Sequence, residues 1–180
     1  MYRSAVNLAL LVLCSAVARG QPMPPVVRDF SGSVRDIHGT VVDLAGKTQS
    51  LEVRETATEI RIDLAADVLF DFDKADVKPE AAASLHSAAE VIKEKSGHGR
   101  TLRIDGYTDS KGSRPYNLKL SRRRAEAVKQ WLATEESVRN AMTVQGFGPD
   151  NPLAPNTKPD GSDDPTGRQK NRRVEIVFAK

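Results

Sequence analysis

Cysteine is almost absent from this chain: the single residue, Cys14, lies inside an N-terminal apolar run. That excludes a disulfide framework, and it excludes thiol chemistry once the run is removed. Leu13 stands before Cys14 where lipid attachment would ask for a small residue, which argues against a lipid-modified cysteine. Histidine is scarce too. His38, His86 and His98 are scattered, without cysteine or a paired acidic residue at metal-ligand spacing, so the expectation is no metal. A large excess of one charge sign is also missing. The 27 Lys+Arg against 24 Asp+Glu give +3, and loss of Arg3 and Arg19 with a leader leaves 25 against 24, or +1. The basic balance therefore does not point to nucleic acid. No second long apolar stretch follows the first, no internal repeat is visible, and the eight alternating strands of a membrane barrel are missing.

What is present starts with a leader. Met1-Tyr-Arg3 is a short basic start, Ala5 to Ala18 is apolar, and the small-residue pattern Ala16-Val-Ala18 precedes Gly20. This predicts a secretory signal peptide over residues 1–20, too short and wrongly flanked for a transmembrane helix. The 180 residues leave room for one ordinary domain and a short extra segment, and 39 % hydrophobic with 28 % charged residues suits a globular protein. Residues 21–64 read as a linker with a short β-hairpin. Gln21-Pro-Met-Pro-Pro25 opens an extended lead-in to about residue 35, and strand-like runs follow at Gly39–Leu44, Ser50–Glu55 and Glu59–Leu64. Leu51 and Val53 alternate with Glu52 and Arg54, the pattern of a half-buried strand.

The main domain is expected over residues 65–180. Val68-Leu-Phe70 reads as a short buried strand, Pro79 opens a helix with Leu85, Ala88, Ala89 and Ile92 inward, and Gly97 stops it. A strand at Thr101–Asp105, a helix from about Pro115 to Ala133 and a strand at Met142–Gly146 follow. A long loop is expected over 149–168, and a closing strand at Arg173–Phe178 with Val174, Ile176 and Phe178 on one face. The fold class is α+β: a two-layer sandwich of order βαβαβ(loop)β, with a mixed sheet covered on one side by helices and a small N-terminal β attachment.

One stretch stands out, Gly106 to Ala125. Residues 117, 120, 124, 128 and 131 fall on one helical face. That face carries Leu120, Val128 and Trp131, yet Arg124 sits in its middle. An inward arginine needs an anion, and Asp109 at the end of the preceding strand is the nearest candidate. On these residues alone, a ligand site and a structural buried ion pair are about equally favoured. Asp71, Asp73 and Asp76 lack the spacing and glycine of a calcium loop.

The motifs Asp71-Phe-Asp-Lys-Ala-Asp76, Gly106-Tyr-Thr-Asp109 with Gly112, Tyr116-Asn-Leu-Lys-Leu-Ser-Arg-Arg-Arg-Ala125, Gly146-Phe-Gly148 and Asn171-Arg-Arg-Val-Glu175 resemble the OmpA-like C-terminal domain family over about residues 66–180. The resemblance implies a domain that binds peptidoglycan without cleaving it, through the diaminopimelate of the stem peptide. It implies Asp109 and Arg124 as the principal ligands, with Asp73, Asn117 and Arg172 lining the same pocket and Thr108 as a supporting contact. It implies no catalytic residue and no cofactor. The place would be the periplasm, against the cell wall and outer membrane, with a possible envelope partner for residues 21–64. The chemistry fits: the ligand's end carries one ammonium and one carboxylate, which suit an aspartate and an arginine fork. The alternatives are an envelope interaction module without ligand and, less favoured, a cell-wall hydrolase.

Overall fold

The computed structural model describes residues 51–97 and 99–180. The expected signal peptide, the lead-in and the strand at 39–44, with Cys14, His38 and His98, fall outside the described residues.

Five strands form one mixed sheet. In chain order they are β1 (Leu51–Glu55), β2 (Glu59–Ala65), β3 (Leu102–Tyr107), β4 (Met142–Gly148) and β5 (Arg173–Ala179), and they lie side by side as β1-β2-β5-β3-β4. Only β3 and β4 run parallel; the other neighbours are antiparallel. The alternation of β5 explains its central place. Val174, Ile176 and Phe178 all point to the helix-covered side and are buried. The register aligns Val53, Ile62, Ile176, Ile104 and Val144 in one apolar row across all five strands. Each fully buried isoleucine or leucine in such a row contributes about 1.5–3 kcal/mol. The hairpin expected as an attachment is thus built into the sheet, because β2 pairs along its whole length with β5.

Two long helices cover that row. Pro79–Ala81 forms a 3-10 turn that leads into a helix at Ala82–Lys95, whose Leu85, Ala88, Ala89 and Ile92 are fully buried, and Gly97 at φ 62 ends it. The longer helix, Arg114–Thr134, has Pro115 in its first turn and buries Asn117, Leu120, Ser121, Arg124, Ala125, Val128 and Leu132. Gly106 lies within β3. A Cβ there would meet Ser121 O at 2.1 Å, and one at Gly146 would meet Arg122 N and Leu118 O at 2.6 Å. Absence of these two side chains lets the helix backbone rest directly on β3 and β4. Ser121 Oγ then accepts a hydrogen bond from Gly148 N at 2.9 Å.

Two local expectations are corrected. Val68–Phe70 is not a strand: Ala66–Leu69 is one turn of helix, and only Phe70 makes a bridge, to Val77. The first strand of the domain is β2 instead. A short apolar run cannot be assigned by periodicity, and here β2 had already taken the position beside β5. The loop at 149–168 ends earlier than expected, because Pro165–Asn171 is helical and Asp164 caps it through Gly167 N at 3.0 Å. We name the helices α1 (Ala66–Leu69), α2 (Ala82–Lys95), α3 (Arg114–Thr134) and α4 (Pro165–Asn171).

The helix-free side of the sheet is charged yet largely buried. The register lines up Glu52, Asp63, Glu175, Asp105 and Gln145 across the five strands. Arginines answer this acidic row. Arg61 Nη1 donates to Glu175 at 2.9 Å, Arg103 Nε to Asp105 at 2.7 Å, and Arg173 Nε to Glu175 at 2.7 Å while its guanidinium lies 3.7 Å from the Tyr107 ring centre. Asp63 is held by Arg54 Nε at 2.7 Å, but among the described residues its Oδ1 has no hydrogen-bond partner. Burial, with Glu175 next to it, pushes the Asp63 carboxyl up to about 6 from an ordinary 3.8. The folded state thus holds this proton more tightly than the unfolded chain, so stability falls as pH rises from about 4 to about 6 and the penalty is complete above that. Asp63→Asn is expected to gain stability at pH 7 relative to the parent, by at most about 3 kcal/mol, and the gain should vanish toward pH 4. Paired thermal melts across that range check it; a gain for Asp63→Asn that does not depend on pH would contradict it.

Candidate functional site

At the carboxyl end of β3 the chain builds a cavity of about 950 Å³. Its walls come from α1, the 70–73 loop, the 108–112 turn, the first half of α3, and α4 with the residue that follows it. All six residues predicted from sequence line this one cavity: Asp73, Thr108, Asp109, Asn117, Arg124 and Arg172. β3 delivers Thr108 and Asp109 from its end, where Thr108 N donates to Gly148 O at 2.8 Å. The α3 face delivers Asn117 and Arg124, set two helical turns apart.

The expected Asp109–Arg124 ion pair is not formed. Asp109 Oδ2 instead accepts from Arg172 Nη1 at 2.7 Å and from Arg168 Nη1 at 3.3 Å, while Oδ1 accepts from Lys111 N at 3.0 Å. The reason is topological. β5 lies antiparallel to β3, so the segment entering β5 arrives beside the residues leaving β3. Arg172 also makes a two-point contact with Asp67, Nε to Oδ1 at 2.9 Å and Nη2 to Oδ2 at 2.7 Å. That pairing with Asp67, then Asp109, holds its pKa well above the ordinary arginine value. Arg168 is likewise forked onto Asp163 at 2.9 and 2.6 Å.

Arg124 is left with backbone carbonyls. Its Nε donates to Lys74 O at 2.9 Å and its Nη2 reaches Asp71 O at 3.5 Å, with the guanidinium carbon 5.3 Å from the Phe70 ring centre. The residue is 6 % exposed, and among the described residues no carboxylate pairs with it. Burial pushes its pKa down, against the pull of Asp67 and Asp73. This is the electrostatic signature of a buried cation without a close anion. Asn117 has a different role from its neighbours. Its Nδ2 donates to Lys111 O at 2.8 Å and so ties the 109–112 turn to α3. Thr108 Oγ1 donates to Asp109 O at 2.9 Å. Asp73 takes up a left-handed backbone at φ 62, and its carboxylate accepts from Tyr116 Oη.

Sequence reasoning missed Asp67, Arg168, Phe72 and Tyr116, which also line the cavity. Asp67 lies just before the strand expected at Val68–Phe70, where the structure has a helical turn, and Arg168 ends the loop expected over 149–168, where the structure has α4. A proline followed by a basic turn, Pro165-Thr-Gly-Arg-Gln-Lys170, was the available signal for α4. With Lys78, Lys111 and Asp71 the lining carries five cationic and four anionic side chains, so the cavity offers both signs of charge. Outside it, His86 lies on the exposed side of α2, 2.8 Å from Glu136, and Lys93 bridges Glu136 and Glu90 at 3.0 and 3.1 Å. The three possible ligand groups of His86, Glu90 and Glu136 come within 4.8 Å of one another, a proximity the sequence spacing concealed, but Lys93 already answers both carboxylates.

The family model described as the OmpA family matches residues 69–165. A probable lipoprotein YiaD of Escherichia coli is 34 % identical over 130 residues, covering 72 % of this chain and 55 % of that protein. The peptidoglycan-associated lipoprotein of Pseudomonas aeruginosa is 35 % identical over 107 residues, covering 59 % and 58 %. Among solved structures, the cell wall anchor of the T6SS from Pseudomonas aeruginosa superposes with a TM-score of 0.60 at 27 % identity, covering 73 % of this chain and 90 % of that one. The chain spans little more than half the length of the curated relatives it matches, or less.

Proposed function

The chain belongs to the OmpA family, and from that membership we propose that its domain binds peptidoglycan non-covalently, gripping the diaminopimelate of the stem peptide. In this reading it tethers an outer-membrane or other envelope partner to the wall from the periplasm, with residues 21–64 reaching the partner and the N-terminal leader directing secretion. The observation that carries the reading is Arg124: a nearly buried guanidinium that, among the described residues, is held by carbonyls and the Phe70 ring and by no carboxylate, facing a cavity of mixed charge. A ligand carboxylate supplies the anion that the fold withholds, and the planar fork takes it with two parallel hydrogen bonds. The ligand's ammonium is met by aspartates of the same cavity, Asp109 first among them. Asp109 has given three of its roughly four acceptor positions to Lys111, Arg168 and Arg172, which fixes its orientation and leaves one free. A relative named for association with peptidoglycan and a structural neighbour named as a cell wall anchor point the same way.

Binding rather than cleavage is the favoured role, since the relatives are named for association with peptidoglycan and for anchoring at the cell wall. The decisive experiment compares two walls. Purified protein is expected to sediment with diaminopimelate-type peptidoglycan and to bind lysine-type peptidoglycan at least about tenfold more weakly, because lysine lacks the carboxylate and would leave Arg124 unpaired. Equal retention on both walls would overturn the specificity, and release of soluble fragments would turn the reading to a hydrolase. No retention on either would favour a protein-interaction module.

A further inference from the structure

Three large apolar side chains stand exposed among the described residues, Phe72, Tyr116 and Leu153, and two of them, Phe72 and Tyr116, line the same cavity. Phe72 is the extreme case at 98 % exposed. Single exposed apolar groups need no explanation, but two exposed aromatic rings lining one cavity call for one. The backbone is also constrained to display Phe72. The next residue, Asp73, holds a left-handed conformation that side chains other than glycine rarely adopt. Tyr116 Oη donates to the Asp73 carboxylate, and Arg124 holds the carbonyls of Asp71 and Lys74 on either side. The loop is therefore clamped at three points, and Phe72 is the one large apolar side chain it exposes. Strain of this kind clusters where a ligand is gripped.

We propose that Phe72, with Tyr116 beside it, forms a second subsite that takes the apolar face of a pyranose ring of the glycan strand. The inference rests on the peptidoglycan reading above and adds what the rim of the cavity recognises. Its charged groups account for the zwitterionic end of diaminopimelate, but a cavity of about 950 Å³ is at the upper end of small-molecule sites and holds more than one amino-acid terminus. Between diaminopimelate and the sugar lie two residues and a lactyl group, roughly 10 Å when extended. The units on that path are small or charged. Only the hexosamine ring offers a flat array of C–H groups large enough to cover an aromatic face.

The test titrates the full chain with two ligands, the free tripeptide L-Ala–D-Glu–diaminopimelate and the same tripeptide carried on its disaccharide. The parent should bind the disaccharide form about five- to tenfold more tightly, the scale of one aromatic packing contact. Phe72→Ala should remove that preference while leaving tripeptide affinity within about twofold, and Phe72→Trp should keep it. Arg124→Ala should weaken the free tripeptide as well as its disaccharide form, which Phe72→Ala should not. If Phe72→Ala leaves the preference intact, or weakens both ligands equally, the sugar subsite is wrong while the diaminopimelate site stands. If the parent binds neither ligand, both proposals fall.

Discussion

Arg124→Ala is expected to weaken retention on diaminopimelate-type peptidoglycan by about 100-fold or more while the domain remains folded. Truncating one partner of a buried charge pair costs on the order of 2–5 kcal/mol, which is about 30-fold to several thousandfold. The upper part of that range applies here for a structural reason. No carboxylate of the described protein competes for the guanidinium, so its pairing capacity is reserved for whatever enters the cavity. The fold should survive because the contacts Arg124 makes are few: two carbonyls of the 71–74 loop and the face of the Phe70 ring. Arg124→Lys sharpens the result: it keeps the charge but loses the fork, and its retention should fall between those of the parent and the alanine variant. Asp109→Ala behaves differently. It strips the shared acceptor from Arg168 and Arg172, so loss of binding should come with a lower melting temperature. Co-sedimentation with purified wall and circular dichroism melts read the two effects separately. If Arg124→Ala sediments as the parent does, the pocket assignment is wrong.

Gly106→Ala should be strongly disruptive, although it adds a single methyl. The added Cβ would stand 2.1 Å from Ser121 O and 2.7 Å from Ser121 C, both backbone atoms that no rotamer change can move. β3 sits between β5 and β4 and cannot shift without breaking a ladder on either side. The long helix would have to lift off the sheet, opening gaps beneath Ala125 and Val128. Overpacking usually costs about 1–3 kcal/mol, and a backbone-to-backbone clash belongs at or above the upper end. For a domain of this size the melting temperature should drop by about 10 °C or more. Binding should suffer as well, since the same helix carries Asn117 and Arg124. A variant melting within about 2 °C of the parent would show that the contact is not as close as described.

Much of the architecture was legible because it depends on local periodicity. The two-residue alternation of Val174, Ile176 and Phe178 set which face of β5 turns to the helices, and the 3.6-residue spacing of Leu120, Arg124 and Val128 set which face of α3 turns inward. Gly97 and Pro79 marked the limits of α2 through backbone preferences that need no tertiary context. Where length was short, local rules ran out. Val68–Phe70 is apolar enough for a strand or a buried helical turn, and the choice fell to neighbours more than a hundred residues along the chain, since Ala66 N donates to Arg172 O. Nothing local revealed that the outward-facing charges of β2, β3 and β5 would themselves be buried. Glu175 and Asp105 reach full burial because strands distant in sequence line their carboxylates up side by side.

The candidate site divides along the same line. Sequence by itself determined that Arg124 would be an inward cation on an apolar helix face, and that Asp109 would end a strand nearby. It could not determine who pairs with whom. Asp109 meets Arg168 and Arg172 across 59 and 63 positions of chain, and Arg172 meets Asp67 across 105. Such partners are chosen by strand order and by the arrival of α4 beside β3, which periodicity does not encode. Burial direction is a local property and an ion-pair partner is a global one, so the inward arginine was readable in the sequence while its lack of a protein anion was decided only by the tertiary fold.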